Sequence, residues 1–409
     1  MKPMVIVGAS LAGLRAAQAI RSGGYEGDLV VVGEEQRPPY TRPPLSKELL
    51  AGDHDVARCE FDHSRLEATW RLGERAMQLD LGTREIELQS GERLPFSRVV
   101  LATGCRARTW SGVGAGLEGL FTLRTIDDAL ALKETLVPGA RIAVVGAGFV
   151  GCEVAATATK LGCTVTMVDI AERTITPLGP MIGDRCRELH AGHGVELHLG
   201  VGVRGFVGDG RLAAIELDDG ARIEADVAVV ALGAIPNTDW LDGSGLSFER
   251  GGVLCDSTLT AVGDHDVLCA GDVASWPHPL AGGTVVRVEH WTNAAEQGAA
   301  AGRNALVEPD QRASYEAVPY FWTDQYDVKL QAVGFPALAT EYQLLEEEPG
   351  RFVAVGSRDG NAVAAVAWNA PRRLTIYRRA LDEQPPIDTI RTQMAADPKA
   401  LGATIEASA

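Results

Sequence analysis

The sequence predicts an α/β fold made of two copies of one plan, followed by an α+β piece. Three observations carry that reading. Short apolar runs are each followed by a glycine-rich turn and a helix-period segment. The same order of events occurs twice along the chain. From about Ser314 onward the pattern changes to strand-like runs, Phe352–Val355 and Ala362–Ala367, with a later helical stretch. At roughly 100–200 residues per domain, 409 residues leave room for several domains, each with its own core.

The first copy opens with the apolar strand Met4–Val7, the turn Gly8-Ala9-Ser10-Leu11-Ala12-Gly13 and a helix to Arg21. A second strand, Leu29–Val32, ends at Gly33-Glu34. Downstream come Glu85–Leu88, a Ser90-Gly91 turn, Arg93-Leu94, and the apolar Val99–Leu101 closing at Ala102-Thr103-Gly104. The second copy repeats this order: Ile142–Val145, the turn Gly146-Ala147-Gly148-Phe149-Val150-Gly151, a helix to Leu161, and Val165–Val168 ending at Asp169. Then follow Ala214–Leu217, an Asp219-Gly220 turn, Arg222-Ile223, and Val227–Val230 closing at Ala231-Leu232-Gly233. Strand, tight turn, helix and strand in this order imply parallel strands joined by a right-handed crossover.

The glycine spacing has a physical reading. The first glycine permits the tight turn, the second lets a pyrophosphate approach the backbone, and the third lets helix and strand pack closely. Unpaired N–H groups and the helix dipole then favour an anion at the helix start. An acid at the end of the next strand accepts from a ribose diol, and Glu34 and Asp169 stand at matched places. Each copy is therefore read as a Rossmann-like dinucleotide-binding domain. Ser10 replaces the usual middle glycine of the first turn, which predicts slight crowding there. Two such sites in one chain imply a resident flavin and a visiting nicotinamide, with a hydride passing between them.

Composition narrows the partners. Lys and Arg number 38 against 55 Asp and Glu, a formal charge of −17, which excludes nucleic acid as the main partner because duplex binding needs a basic footprint. No run of 18 apolar residues occurs, so no membrane span is expected, and the start of the chain lacks a signal-peptide pattern. The seven cysteines show no Cys-x-x-Cys spacing. They are read as buried free thiols of a cytoplasmic protein with no metal site.

Several runs together resemble a known family. Gly8 to Gly13, Pro43-Pro44-Leu45-Ser46-Lys47, Ala102-Thr103-Gly104, Leu123-Arg124-Thr125, the second glycine turn, Ala231-Leu232-Gly233, Ala270-Gly271-Asp272 and Glu289-His290-Trp291-Thr292-Asn293-Ala294 are similar to the FAD-dependent ferredoxin reductases of oxygenase systems. That family includes putidaredoxin reductase, the biphenyl-dioxygenase reductase component and apoptosis-inducing factor. The resemblance implies a glutathione-reductase-like architecture: an FAD domain in two segments (1–109 and 238–312), an inserted NAD domain (110–237) and an α+β C-terminal domain (313–409).

Carried over by position, Gly8, Ser10, Ala12 and Gly13 would hold the FAD pyrophosphate and Glu34 its adenosine ribose. Arg42 and Lys47 would lie along the flavin, with Ala76, Thr103, Gly104 and Arg124 as further FAD contacts. Gly271 with Asp272 would bind the ribityl chain, and Glu289, His290 and Trp291 would bring a helix start to the pyrimidine end. For NADH the resemblance implies Gly146, Gly148, Phe149, Val150, Gly151, Asp169, Ala231, Leu232 and Gly233. Glu153 would face the nicotinamide and pair with Lys47. Asp169 favours NADH over NADPH because it repels a 2′-phosphate, while Arg173 nearby keeps NADPH open.

Related disulfide reductases carry a cysteine pair after the first copy. Here Arg42–Lys47 stands at that place, so a thiol touching the flavin is not expected, and Cys59 is the nearest cysteine left for such a role. The implied activity is NADH:ferredoxin oxidoreduction, delivering single electrons to a two-iron two-sulfur ferredoxin. That carrier would serve a haem-thiolate monooxygenase or a Rieske ring-hydroxylating dioxygenase. Two alternatives stay open: an NADH oxidase or diaphorase using oxygen or quinone, and a redox-sensing protein of the apoptosis-inducing-factor kind. Arg372-Arg373 and Arg378-Arg379, read as lying on a strand and a helix, are candidates for a local cationic patch toward an acidic ferredoxin.

Overall fold

The computed structural model describes residues 2–383 and 386–396. The end of the expected C-terminal domain, 397–409, lies outside the described residues. The chain forms two compact units. The first comprises Met1–Thr41, Ala57–Arg106 and Ile235–Pro319; the second comprises Arg42–Val56, Ala107–Ala234 and Tyr320–Ala409.

In the first unit the strands Val267–Cys269, Arg98–Leu101, Met4–Val7, Leu29–Gly33 and Thr69–Leu72 form one sheet in that order. All its pairings are parallel. Met4–Val7 is buried along its whole length, as the central strand of a sheet covered on both faces must be. The helix Leu11–Ser22 returns from it to Leu29–Gly33. The helix Trp291–Asn304 packs on Leu11–Ser22 through glycines. A Cβ at Gly298 would stand 2.3 Å from the Ala12 carbonyl oxygen, and one at Gly302 2.5 Å from that of Ala16, so only glycine allows this approach.

The second unit repeats the plan. Its parallel sheet runs Glu196–Leu199, Thr164–Asp169, Arg141–Val145, Val227–Val230 and Leu120–Phe121. Here the outermost strand precedes the repeat and has only two residues, too few to read from an apolar pattern. The helix Phe149–Lys160 makes the crossover. The helix Ile126–Lys133 leads in, held by a capping box in which Thr125 and Asp128 satisfy each other's backbone N–H groups.

The segment Arg42–Val56 and the chain from Tyr320 complete this unit. A five-stranded antiparallel sheet, ordered Tyr320–Gln325, Val328–Gly334, Asn361–Trp368, Arg351–Arg358 and Glu341–Glu348, carries the helix Pro371–Asp382. The Arg372-Arg373 pair sits on this helix together with Arg378-Arg379, not on a strand. Pro371 opens the helix at a position where its missing N–H has no intrahelical partner to lose. One apolar cluster joins Leu50, Val154, Ile182 and Ala354.

Candidate functional site

The two glycine turns are built alike. In the first, Gly8 has φ +120 and a Cβ there would lie 2.1 Å from the Ala102 carbonyl oxygen; a Cβ on Gly13 would lie 1.8 Å from that of Gly8. In the second, Gly146 has φ +109 and a Cβ would lie 2.3 Å from the Ala231 oxygen; a Cβ on Gly151 would lie 1.9 Å from that of Gly146. Side chains are excluded at all four positions for the same reason. The middle positions behave differently. Gly148 has φ −78 and a Cβ there would meet no protein atom within 4 Å, while Ser10 has φ −101 and caps its helix without a side-chain hydrogen bond. Ser10 therefore needs no glycine conformation.

In both copies the first intrahelical bonds are Leu14 to Ser10 and Cys152 to Gly148. The N–H groups of the preceding turn have no helical acceptor, which suits a phosphate. Open space at Gly148 and closed space at Gly146 and Gly151 fit a dinucleotide crossing the middle of the turn.

Around the first turn, Ala102-Thr103-Gly104 is tied to Asn237: Thr103 Oγ1 donates to the Asn237 carbonyl at 2.9 Å, and Asn237 Nδ2 donates back to the Thr103 carbonyl at 2.9 Å. Asp272 is buried in the short turn Gly271–Val273 and accepts from the Cys105 thiol at 3.0 Å. Gln297 holds that turn by accepting the Gly271 N–H at 2.8 Å, and its own buried Nε2 has no partner among the described residues. His290 caps the helix Trp291–Asn304; burial pushes its pKa down to about 4, against the opposing pull of the Asp272 charge. Trp291 Nε1 donates to Thr41 Oγ1 at 3.1 Å, and Glu289 pairs with Arg287 at 2.6 Å. Ala76 is buried on the strand Ala76–Asp80. Glu34 is exposed beyond its strand, 3.7 Å from Arg75.

Around the second turn, Asp169 braces the loop. Its Oδ2 accepts the Ala147 N–H at 2.5 Å and its Oδ1 the Ala171 N–H at 2.8 Å. Ile175, a β-branched residue at φ +45, donates its N–H to the Ala147 carbonyl at 2.8 Å. Such a conformation costs on the order of 1–3 kcal/mol and is held here by full burial. Phe149 meets Phe321 edge to face, while Val150 and Leu232 are exposed. The Gly233 carbonyl accepts from the Arg108 N–H, and Arg173 pairs with Asp184 at 3.2 Å.

The same unit holds the sharpest charged feature. Lys47 Nζ lies 2.7 Å from Glu153 Oε2, with side-chain exposures of 12% and 8%. A buried carboxylate is costly unless its lone pairs are used. Glu153 uses them: Oε2 also accepts from Ser46 Oγ at 2.5 Å, and Oε1 accepts from Thr323 Oγ1 at 2.6 Å. One helical turn on, Thr157 donates to the Ser46 carbonyl at 2.7 Å, so two residues of one helix face hold the Ser46-Lys47 segment. Arg42 donates to the Arg124 carbonyl at 2.6 Å, which ties the start of that segment to the run before Ile126–Lys133.

The sequence profile of the pyridine nucleotide-disulphide oxidoreductases matches residues 2–298, and a reductase C-terminal profile matches 320–401. The chain belongs to the pyridine nucleotide-disulphide oxidoreductase family. Within that family it is 37% identical to the ferredoxin–NAD(+) reductase component of the anthranilate 1,2-dioxygenase system of Burkholderia cepacia, over 93% of this chain and 94% of that one. It is 34% identical to the corresponding biphenyl dioxygenase component of Paraburkholderia xenovorans, over 92% of each. Its fold matches the reductase in the covalent putidaredoxin reductase–putidaredoxin complex with a TM-score of 0.91 and 27% identity, covering 100% of this chain and 99% of that one.

For a member of this family the thiols are notable for what they do not do. None of the seven cysteines forms a disulfide, and all are buried. Burial raises the pKa of the Cys152 thiol and pushes that of Cys186 up to about 12. Cys59, the cysteine left for a redox role by its sequence position, is 1% exposed. Cys105, beside Asp272, is the thiol nearer the first-turn residues and went unread, although it directly follows Ala102-Thr103-Gly104. Also unread were Asn237, Ser46, Thr323, Gln325 and His190. Ser46 stood inside the Pro43–Lys47 run; His190, in the last turn of the helix Pro180–Gly192, carried no local signal.

Proposed function

We propose that this family member is an FAD-dependent NADH:ferredoxin oxidoreductase supplying a two-iron two-sulfur ferredoxin of an oxygenase system. The observation that carries the reading is the buried Lys47–Glu153 pair in the stretch where related disulfide reductases place thiols, in a chain whose seven cysteines form no disulfide. Electrons then find no cysteine in the Arg42–Lys47 stretch. They leave to an external carrier, as the names of the relatives say for those proteins. FAD, when bound, would supply the redox chemistry, hydride acceptance from NADH and release of single electrons, which no side chain of this chain provides.

The chain's own residues position and insulate. In this reading FAD belongs to 1–109 and 238–312, NADH to 110–237, and the ferredoxin surface to 313–409. The N–H groups after Ser10 hold one pyrophosphate and those after Gly148 the other. Asp272, fixed by Cys105, accepts from the ribityl hydroxyls; Asp169, fixed by two backbone N–H groups, accepts from the NADH ribose. Asp169 favours NADH by repelling a 2′-phosphate, and the nearby Arg173 has its Nε on Asp184. Glu153 orients the Lys47 ammonium at the nicotinamide. The roles of Arg42, Ala76, Arg124, Glu289, His290 and Trp291 toward FAD rest on the sequence resemblance. No helix among the described residues is long and apolar enough to cross a membrane. Seven free thiols support a cytoplasmic location.

The test is an anaerobic NADH titration of the purified protein, followed by rapid mixing with a panel of two-iron two-sulfur ferredoxins. Bleaching of the flavin at one NADH per FAD, and reduction of one ferredoxin far faster than of oxygen, is the expected outcome. Flavin that is reduced but reoxidised only by oxygen or quinone would make the protein an oxidase or diaphorase. Slow reduction of every carrier with a long-lived NADH complex would point to a redox sensor.

A further inference from the structure

A run of buried side chains leads away from Glu153 entirely inside the second unit. Thr323 Oγ1 bonds Glu153 Oε1 at 2.6 Å, and Gln325 Nε2 lies 3.4 Å from Thr323 Oγ1. Gln325 Oε1 meets His190 Nε2 at 3.1 Å, and His190 Nδ1 meets the Tyr326 hydroxyl at 3.0 Å. Thr323 and Gln325 are two residues apart on one strand and share its buried face; His190 comes from the helix Pro180–Gly192. Thr323 and His190 are 0% exposed and Gln325 2%. Tyr326 turns the hairpin at φ +56, stacks on His193 at 3.6 Å and also exchanges a side-chain hydrogen bond with Thr159.

The donor inventory fixes the direction. An ionised carboxylate only accepts, so Thr323 gives its single proton to Glu153 and takes the Gln325 amide on its oxygen. Gln325 Oε1 then requires a donor, which places the His190 proton on Nε2 and leaves Nδ1 to accept from Tyr326. Burial keeps His190 neutral by pushing its pKa down to about 4. Reversing any link requires turning the threonine hydroxyl, the amide and the imidazole tautomer together.

We propose that Thr323, Gln325 and His190 are positioning residues for the Lys47–Glu153 pair, their donors all running one way to hold Glu153 as the ionised acceptor that orients the Lys47 ammonium. The consequence for hydride transfer rests on the function proposed above; the wiring does not.

The test uses the FAD-loaded protein and two readouts. Selective ¹⁵N-imidazole NMR, with the signal assigned by His190→Asn, should show the neutral Nε2–H tautomer at about pH 7. An Nδ1–H tautomer or an imidazolium overturns the proposal. In anaerobic rapid mixing with NADH, Thr323→Val should slow flavin reduction about tenfold, the size expected for losing one hydrogen bond to a charged group. The NADH dissociation constant should stay within about twofold, since the lost bond acts through Lys47 and not on the nucleotide. Thr323→Ser should restore the rate, and His190→Phe should slow it in the same sense. If Thr323→Val and His190→Phe lower the melting temperature but leave the rate at the wild-type value, the run is structural and the proposal fails. If NADH does not bleach the wild-type flavin, the parent reading fails instead, while the tautomer still reports on the wiring.

Discussion

Glu153 receives donors from Ser46, Lys47 and Thr323, two stretches of chain that lie on either side of it in sequence and far from it. That convergence explains why the residue stood out only partly in the sequence. Its place after Gly151 and its implied link to Lys47 were legible from motif position. The hydroxyls were not, because a threonine on an apolar strand and a serine beside a lysine carry no pattern until the fold joins them. The outer glycines of each turn were legible for the opposite reason: each is demanded by a carbonyl oxygen a few residues away or at the end of a matched strand, while Gly148 faces open space. Their difference in surroundings yields a paired expectation. Gly151→Ala forces a Cβ to within 1.9 Å of the Gly146 oxygen, so it should cost about 1–3 kcal/mol in urea unfolding and abolish NADH binding. Gly148→Ala meets no protein atom within 4 Å, so stability should hold while the NADH dissociation constant, read by flavin bleaching, rises about tenfold. Equal effects of both would remove the argument that the ligand crosses at Gly148.

At the level of elements, the contact of helix Leu11–Ser22 with helix Trp291–Asn304 depends on two small positions. Gly298→Ala should lower stability by about 1–3 kcal/mol and weaken FAD retention, because the obstructing atom is the Ala12 carbonyl within the first turn. Gly192→Ala, in the last turn of Pro180–Gly192 with nothing within 4 Å, serves as the control and should leave both unchanged or slightly improved. The principal strands and both crossover helices were readable because their apolar periodicity is local. The allegiance of Arg42–Val56 to the second unit was not, since it arises from Thr157, Glu153 and Asp53–Lys160 contacts made across the sequence. The four arginines on Pro371–Asp382 show the same limit, their spacing being as compatible with a strand as with a helix. Exchanging the exposed Arg372 and Arg379 for glutamate should slow ferredoxin reduction at low salt by roughly tenfold and leave NADH-driven ferricyanide reduction alone.

For the molecule as a whole, two histidines, the buried His190 and the half-buried His290, set an acid limit. His190 and His290 each have a pKa lowered from 6.5 to about 4 by burial, so the folded chain binds fewer protons than the unfolded chain between those values. Stability contributed by their neutral forms is therefore full above pH 6.5, falls as pH drops toward 4, and is lost below it. Each contributes a slope of up to about 1.4 kcal/mol per pH unit within that window. Urea midpoints measured across it should fall steadily, and His190→Gln should flatten the curve by about half; a midpoint independent of pH would contradict the burial of both rings.

The first unit is drawn from three stretches of chain, and its sheet is finished only when Val267–Cys269 reaches Arg98–Leu101 and Trp291–Asn304 reaches Leu11–Ser22. During synthesis the early βαβ segment must therefore wait, one sheet edge and one helix face uncovered, while residues 107–234 emerge with most strands of their own sheet already in hand. The nicotinamide half is expected to order first on the ribosome, and the flavin half to close late, which makes the open edge of Arg98–Leu101 and the uncovered face of Leu11–Ser22 the natural client of a chaperone and gives FAD its opportunity to be captured as the last strand arrives.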